Sequence, residues 1–200
     1  MRCYYSIIIP YFSYLVNMHY MIVASVYPSA NCFALTLSFF RCILYISKGV
    51  IPVNSSIDSS LTGEFSKSIW SKFRKGIDQY RLIENGDRIA VCISGGKDSM
   101  LMAKCIQRLQ KYGNIDFESE YIVMDPGYAP ENREKILANA KALELPVKLM
   151  ETRIFESTAK AEKHPCFLCA RLRRGWLYKT AQKLGCNKIA LGHHFDDVIE

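Results

Sequence analysis

The sequence predicts an α/β fold in which a parallel sheet is flanked by helices in the Rossmann-like manner. Apolar strand-like runs alternate with helix-length segments from Leu61 onward, the first of these strands ends in the glycine pair Gly95–Gly96 ahead of a helix, and later helices close at Gly113 and Gly185. Alternation of this kind requires crossover connections, which bury a parallel sheet between helices. At 200 residues the chain is long enough for one domain with a sizeable core. Its formal net charge of +7 suits a polyanionic partner without requiring one.

Residues 1–60 belong to a different class from residues 61–200. They hold three basic residues, Arg2, Arg41 and Lys48, against the single acid Asp58, and the stretch between Cys3 and Phe40 carries no Asp, Glu, Lys or Arg. Pro10, Pro28, Asn31 and Arg41 interrupt this apolar run, and its pieces fall short of the roughly 20 apolar residues of a membrane span. A secretory signal would need a basic start and a small-residue cleavage site. The expectation is an N-terminal extension, non-native to the domain or membrane-associated, followed by an α/β domain over 61–200. "NSSIDSSLTG", residues 54–63, reads as the polar loop between them.

Each later element has its own signal. "KSIWSKFRKGIDQYRLI" sets Ile69, Phe73, Ile77 and Tyr80 at helical spacing, with Lys67, Lys72, Arg74 and Lys75 on a face more often solvated than RNA-bound. "DRIAVCISGG" is a buried parallel strand, and "DSMLMAKCIQRLQKYG" is the helix that follows it. "SEYIVMDPGY" is a second strand, "PENREKILANAKALEL" a helix opened by Pro130, and "PVKLMET" a third strand. "RRGWLYKTAQKLG" is a helix, and "NKIALGHH" is the fourth strand.

"SGGKDS", Ser94–Ser99, lies between the first of these strands and its helix. Glycines let the backbone turn tightly, and a helix start offers N–H groups and partial positive charge to an anion. The loop is neither the dinucleotide fingerprint nor Walker A, because the spacings differ. A second cluster, "HPCFLCARLRRG" over 164–175, combines two thiols, His164, Arg171, Arg173 and Arg174. A helix beginning at Pro165 puts Cys166, Cys169 and Arg173 on one face, where the helix N-terminus and nearby cations lower thiol pKa. No secretory disulfide pattern is present, no second C-x-x-C completes a zinc site, and the H-x-E of a zinc deaminase is missing upstream.

"SGGKDS" resembles the PP-loop of the ATP pyrophosphatases, and "LGHHFDDVIE", Leu191–Glu200, resembles their second motif. With "CFLCARLRRGWLYKTA" between them, residues 65–200 resemble the tRNA 2-thiocytidine synthetase family. The resemblance implies an ATP-dependent tRNA sulfurtransferase, which adenylates a cytidine base carbonyl and replaces its oxygen with sulfur. It implies that Ser94, Gly95, Gly96, Lys97, Asp98 and Ser99 hold phosphate and that Asp125 lies by the nucleoside. Gly192 and His193 would complete the ATP site, with Asp98, Asp196 and Asp197 catalytic beside Mg2+. It also implies that Cys166 and Cys169 are two of three thiolate ligands of a 4Fe-4S cluster. The family's third cysteine follows the second motif, so the chain is expected to be a fragment, incomplete at its C-terminus.

Cys92 and Cys105 read as core residues, and Cys186 as a poor substitute for the third ligand. Arg171, Arg173 and Arg174 are candidates for RNA or ATP phosphate. The expected partners are tRNA and a sulfur donor, with a homodimer left open, and the expected location is cytoplasmic. Two other readings stay open: a lysidine synthetase-like enzyme, which shares both nucleotide motifs but needs neither cysteine, and a non-catalytic nucleotide- or RNA-binding remnant.

Overall fold

A computed structural model describes residues 5–8, 53–159 and 164–192. In chain order the elements are β1 (Tyr5–Ile8), α1 (Val53–Thr62), a π-helical turn (Ser66–Trp70), α2 (Ser71–Tyr80), β2 (Arg88–Ile93) and α3 (Lys97–Tyr112). They continue with β3 (Glu118–Asp125), α4 (Pro130–Ala142), β4 (Val147–Glu151), α5 (Ile154–Ala159), α6 (Pro165–Lys183) and β5 (Lys188–Leu191). Among the described residues no helix is long and apolar enough to cross a membrane.

The described residues divide into two compact units. One comprises residues 53–82 and 142–144 and contains α1, the π-turn and α2. Phe73 and Ile77 are buried at the predicted helical spacing, Trp70 stacks on Phe73, and Tyr80 is exposed. Lys67, Arg74 and Lys75 face solvent, the commoner use of such a face. Residues 54–63 correct the expectation of a loop, because Val53–Thr62 is helical. Its four serines favour caps and turns when read one at a time, but Leu61 is fully buried, so packing overrides propensity.

The other unit comprises residues 5–8, 83–141 and 145–192 and is the predicted parallel sheet, in the order β1-β5-β2-β3-β4. Every pairing is parallel: Ile89–Ile93 of β2 lies beside Ser119–Val123 of β3, and Ile89–Cys92 lies beside Lys188–Leu191 of β5. β1 adds an edge strand parallel to β5, with Tyr5 opposite Lys188. The four strands predicted from "DRIAVCISGG", "SEYIVMDPGY", "PVKLMET" and "NKIALGHH" are all present. The helix does begin at Pro165, and it runs without a break into the segment read as a helix from Arg173, so the two are one continuous rod.

Strand alternation divides the core into two layers. Ala90, Cys92, Ile122, Ile189 and Leu191 point to one face, where Ala181, Cys186 and the partly buried Trp176, Leu177 and Leu184 cover them. α3 buries Met102, Ala103, Cys105, Ile106 and Leu109 and packs on β2 and β3. Right-handed crossovers place α3 and α4 opposite α6, because the chain passes from β2 to β3 and β4 and then returns to β5 on the far side of β2. That reversal opens a crevice between the carboxyl ends of β2 and β5.

At the opposite ends of the same two strands a polar cluster locks the register. The Asp87 carboxylate lies 2.6 Å from Lys188 Nζ and accepts hydrogen bonds from the Glu84 amide and Asn187 Nδ2, each at 2.7 Å. Arg88 N donates to Asn187 Oδ1 at 2.7 Å, and Asn187 N donates back to Arg88 O at 2.9 Å. Burial pushes the Asp87 carboxyl up, but hydrogen bonds from Lys188, the Glu84 amide and Asn187, with the charge of Lys188, outweigh it and hold the pKa below its ordinary 3.8.

A depressed carboxyl pKa gives stability that is complete above the ordinary value and is lost as pH falls through the folded-state value. Asp87→Ala would leave the largely buried Lys188 without its main counter-charge and should cost about 3 kcal/mol at neutral pH. In urea unfolding the deficit relative to the parent chain should shrink as the pH falls from the ordinary carboxyl value of 3.8 through the lower folded-state value. A deficit independent of pH would show that the carboxylate does not carry the effect.

Candidate active site

Ser94–Ser99 lies at the carboxyl end of β2 and runs into α3, as the sequence predicts. Gly95 has φ +90°, a left-handed conformation that side chains strain, and a Cβ there would lie 2.6 Å from Ile136 Cγ1 of α4. Gly96 caps α3 with extended backbone, and a Cβ there would meet only Ser94 Oγ at 3.7 Å. Gly95 therefore serves the turn, whereas Gly96 leaves the approach from solvent open. The Ser99 hydroxyl binds the loop together: it donates to Gly96 O at 2.9 Å, receives the Ser94 amide at 3.2 Å and lies 3.1 Å from Ser94 Oγ.

The first N–H groups of α3 have no acceptor within the helix, by the geometry of any α-helix, and they project with the positive end of the helix dipole. Lys97 Nζ stands at the loop's mouth, 3.1 Å from both carboxylate oxygens of Asp98. Gly192 directly follows β5, and a Cβ on it would lie 3.1 Å from Ser99 Cα and 3.3 Å from Ser99 N. A side chain at this position would require Ser99 to give by a few tenths of an ångström, so the second nucleotide motif touches the first through its glycine. His193, Asp196 and Asp197 lie outside the described residues.

Asp125 ends β3 and is buried, but one of its carboxylate oxygens is committed to the turn that follows. Oδ1 accepts from the Gly127 amide at 2.8 Å and the Tyr128 amide at 2.7 Å, while Oδ2 faces Arg133 Nε at 3.8 Å. Its backbone oxygen accepts from the amide and hydroxyl of Thr152. Asp125 thus shapes the rim beside the loop. Sequence reading missed Arg133, which also pairs with Glu151, and the edge-on pair Tyr128–Phe155 on that rim. Their position just beyond strand carboxyl ends, where open parallel sheets bind ligands, is the signal that finds them.

Cys166 and Cys169 occupy the first turns of α6 behind Pro165, with Cys166 exposed and Cys169 half-buried. Arg173 continues their face and is also half-buried, while Arg171 and Arg174 are exposed. The other described cysteines are of another kind. Burial pushes the Cys92 thiol up to about 12, with Cys186 adding to the effect, and burial likewise raises Cys186. Cys105 is fully buried. Cys92 and Cys186 stay protonated at neutral pH, and the described cysteines that are not buried are Cys166 and Cys169. Among the described residues no group of three His, Cys, Asp or Glu side chains could hold a metal.

The two loop glycines should separate by experiment. Gly95→Ala should lower stability by about 1–3 kcal/mol through strain and its collision with Ile136. Gly96→Val should leave the melting temperature near that of the parent chain while weakening ATP binding at least tenfold in calorimetric titration. Equal ATP affinity in Gly96→Val would remove the phosphate-cradle assignment.

No family model matches the chain. It is 42% identical over 130 residues to the tRNA-cytidine(32) 2-sulfurtransferase of Alkalilimnicola ehrlichii, a match covering 62% of this chain and 40% of that protein. It is 38% identical over 138 residues to the protein of the same name from Geobacter sulfurreducens, covering 67% and 53%. The chain thus spans about half or less of the length of these relatives. Among solved structures it resembles the U34-tRNA thiolase NcsA from Methanococcus maripaludis with its 4Fe-4S cluster, at TM-score 0.51 and 22% identity over 65% of this chain and 48% of that one. That likeness supports the PP-loop type of α/β fold. By sequence the chain is a homologue of the tRNA-cytidine(32) 2-sulfurtransferases, the family its three motifs resemble.

Proposed function

We propose that the chain is the ATP-activating part of a tRNA 2-thiolation enzyme acting on cytidine. The observation that carries this reading is the meeting of Ser94–Ser99 with Gly192 at the reversal point of the sheet, in a chain homologous to sulfurtransferases. In the reaction the base oxygen attacks the α-phosphorus of ATP and pyrophosphate leaves. Sulfur then attacks the ring carbon, and the oxygen departs on AMP. A pyrimidine oxygen is a poor leaving group until it carries the adenylate.

The residues divide this work by their positions. Gly95, Gly96 and the first turn of α3 present N–H groups to phosphate, and Lys97 adds a mobile cation. Asp98, with Asp196 and Asp197 from the second motif, suits Mg2+, a hard cation that takes oxygen ligands. Asp125 and the Tyr128–Phe155 rim border the nucleoside side, and His193, next after Gly192 in the sequence, is assigned to the ATP site by the second motif.

Two cysteines three residues apart on a helix start, one exposed and one half-buried, fit an iron-sulfur cluster, and Cys166 and Cys169 would hold it. Such a cluster supplies an iron at which sulfur is carried. The pair also counts against a lysidine synthetase-like reading, which gives these thiols no task. Binding of tRNA and a sulfur donor and a cytoplasmic location belong to the same reading, which leaves a homodimer open.

In anaerobically purified and iron-reconstituted protein, Cys166→Ser and Cys169→Ser should each abolish tRNA thiolation and visible thiolate-to-iron absorption while leaving ATP affinity unchanged. Full thiolation in both variants would exclude the cluster role and leave the ATP site standing.

A further inference from the structure

The inner side of α6 is accounted for by the core: Trp176, Leu177, Thr180, Ala181 and Leu184 face the sheet. Its outer side is not. Phe167, Arg171, Arg174 and Tyr178 follow one another at intervals of four, three and four residues, which places them on one stripe. Phe167 is 62% exposed and Tyr178 39%, and both arginines face solvent. At 100° per residue this stripe is turned by more than a third of a turn from the Cys166–Cys169–Arg173 face of the same helix, and it begins at Phe167, next to Cys166 in the chain.

Two local features of this stripe work against the helix that carries it. Gly175 sits mid-helix, where glycine is unfavourable relative to any ordinary residue, and a Cβ added to it meets nothing within 4 Å. Arg171 and Arg174 are like charges one turn apart, which is also unfavourable. No contact among the described residues explains either. In addition, α6 carries five cations, Arg171, Arg173, Arg174, Lys179 and Lys183, and no acid at all. An ordinary solvated face mixes the two signs, and sequences that break local rules without internal compensation do so at binding sites.

We propose that the Phe167–Arg171–Arg174–Tyr178 stripe is a binding track for an unpaired run of RNA. The aromatic rings stack on bases, the guanidinium groups take phosphates between them, and Gly175 lets the RNA backbone lie against the helix. Alternation of aromatic platforms with cations is the chemistry of single-strand recognition, because paired bases are already stacked and offer no open face. The inference rests on the tRNA reading and deepens it, since the track would bring an unpaired base to the helix that bears the thiols.

The test uses a fluorescein-labelled single-stranded RNA and a blunt RNA duplex of mixed sequence, with ATP binding measured in parallel. Phe167→Ala should weaken single-strand binding about tenfold and duplex binding far less. Arg171→Ala and Arg174→Ala should weaken both and each reduce the slope of log affinity against log salt by about one. Gly175→Gln should raise the melting temperature yet weaken single-strand binding, a combination that a purely structural glycine would not give. Unchanged single-strand affinity in Phe167→Ala or Gly175→Gln would overturn the track, as would failure of the parent chain to bind the RNA. If ATP is still bound in those cases, the nucleotide reading survives and the stripe is assigned to a protein contact instead.

Discussion

The approach of Gly192 to the backbone of Ser99 is the constraint on which the site depends. It joins the carboxyl end of β5 to the start of α3, and a single methyl group would stand 3.1 Å from Ser99 Cα. The sheet order makes the approach possible, because β5 lies directly beside β2 after the chain has crossed β3 and β4. The register makes it accurate: Cys92 is opposite Leu191, so both strands end at one level and hand their next residues to the same crevice. Ser99 then ties the loop to itself and holds the start of α3, whose first N–H groups have no acceptor within the helix, beside it.

The two ends of the sheet have separate tasks. The amino-end side of the sheet carries two polar clusters: Asp87 with Lys188 and Asn187 at β2 and β5, and Glu120 of β3 with Arg88 of β2 and Lys148 of β4. Hydrogen bonds from Lys148 and then Arg88 hold the Glu120 carboxyl below its ordinary range. Charges satisfied in this way fix register and offer little to a ligand. The carboxyl ends instead hold Lys97, Arg133 and an aromatic pair, Phe155 exposed and Tyr128 half-buried, around a glycine turn. Cysteines divide in the same manner, with Cys92 and Cys186 sealed in the core beneath α6 and Cys166 and Cys169 outward at its start.

Most of this arrangement was legible in the sequence, for identifiable reasons. Buried parallel strands read as unbroken apolar runs, so "IAVCI" and "YIVM" were plain. The glycine loop and the cysteine pair were legible because their chemistry restricts residue type. The unread features depend on packing or on partners far along the chain. The 53–62 helix looked like a loop because serine and asparagine favour turns until something buries Leu61. Asp87 and Lys188 are 101 positions apart, and no local pattern joins them. Asp125 read as a ligand-facing carboxylate, yet one oxygen is spent on the amides of Gly127 and Tyr128, a use invisible without the turn. The edge strand 5–8 arises inside an apolar segment whose alternation is too weak to announce it.

Amide hydrogen exchange with and without MgATP tests the account most directly, because its central claim is that backbone N–H groups of the Ser94–Ser99 loop and the first turn of α3 bind the triphosphate. The account predicts that saturating MgATP slows exchange at residues 95–99 more than anywhere else in the sheet domain, and that Gly96→Val loses this protection. Protection confined to other segments, with exchange at residues 95–99 unchanged, would contradict it.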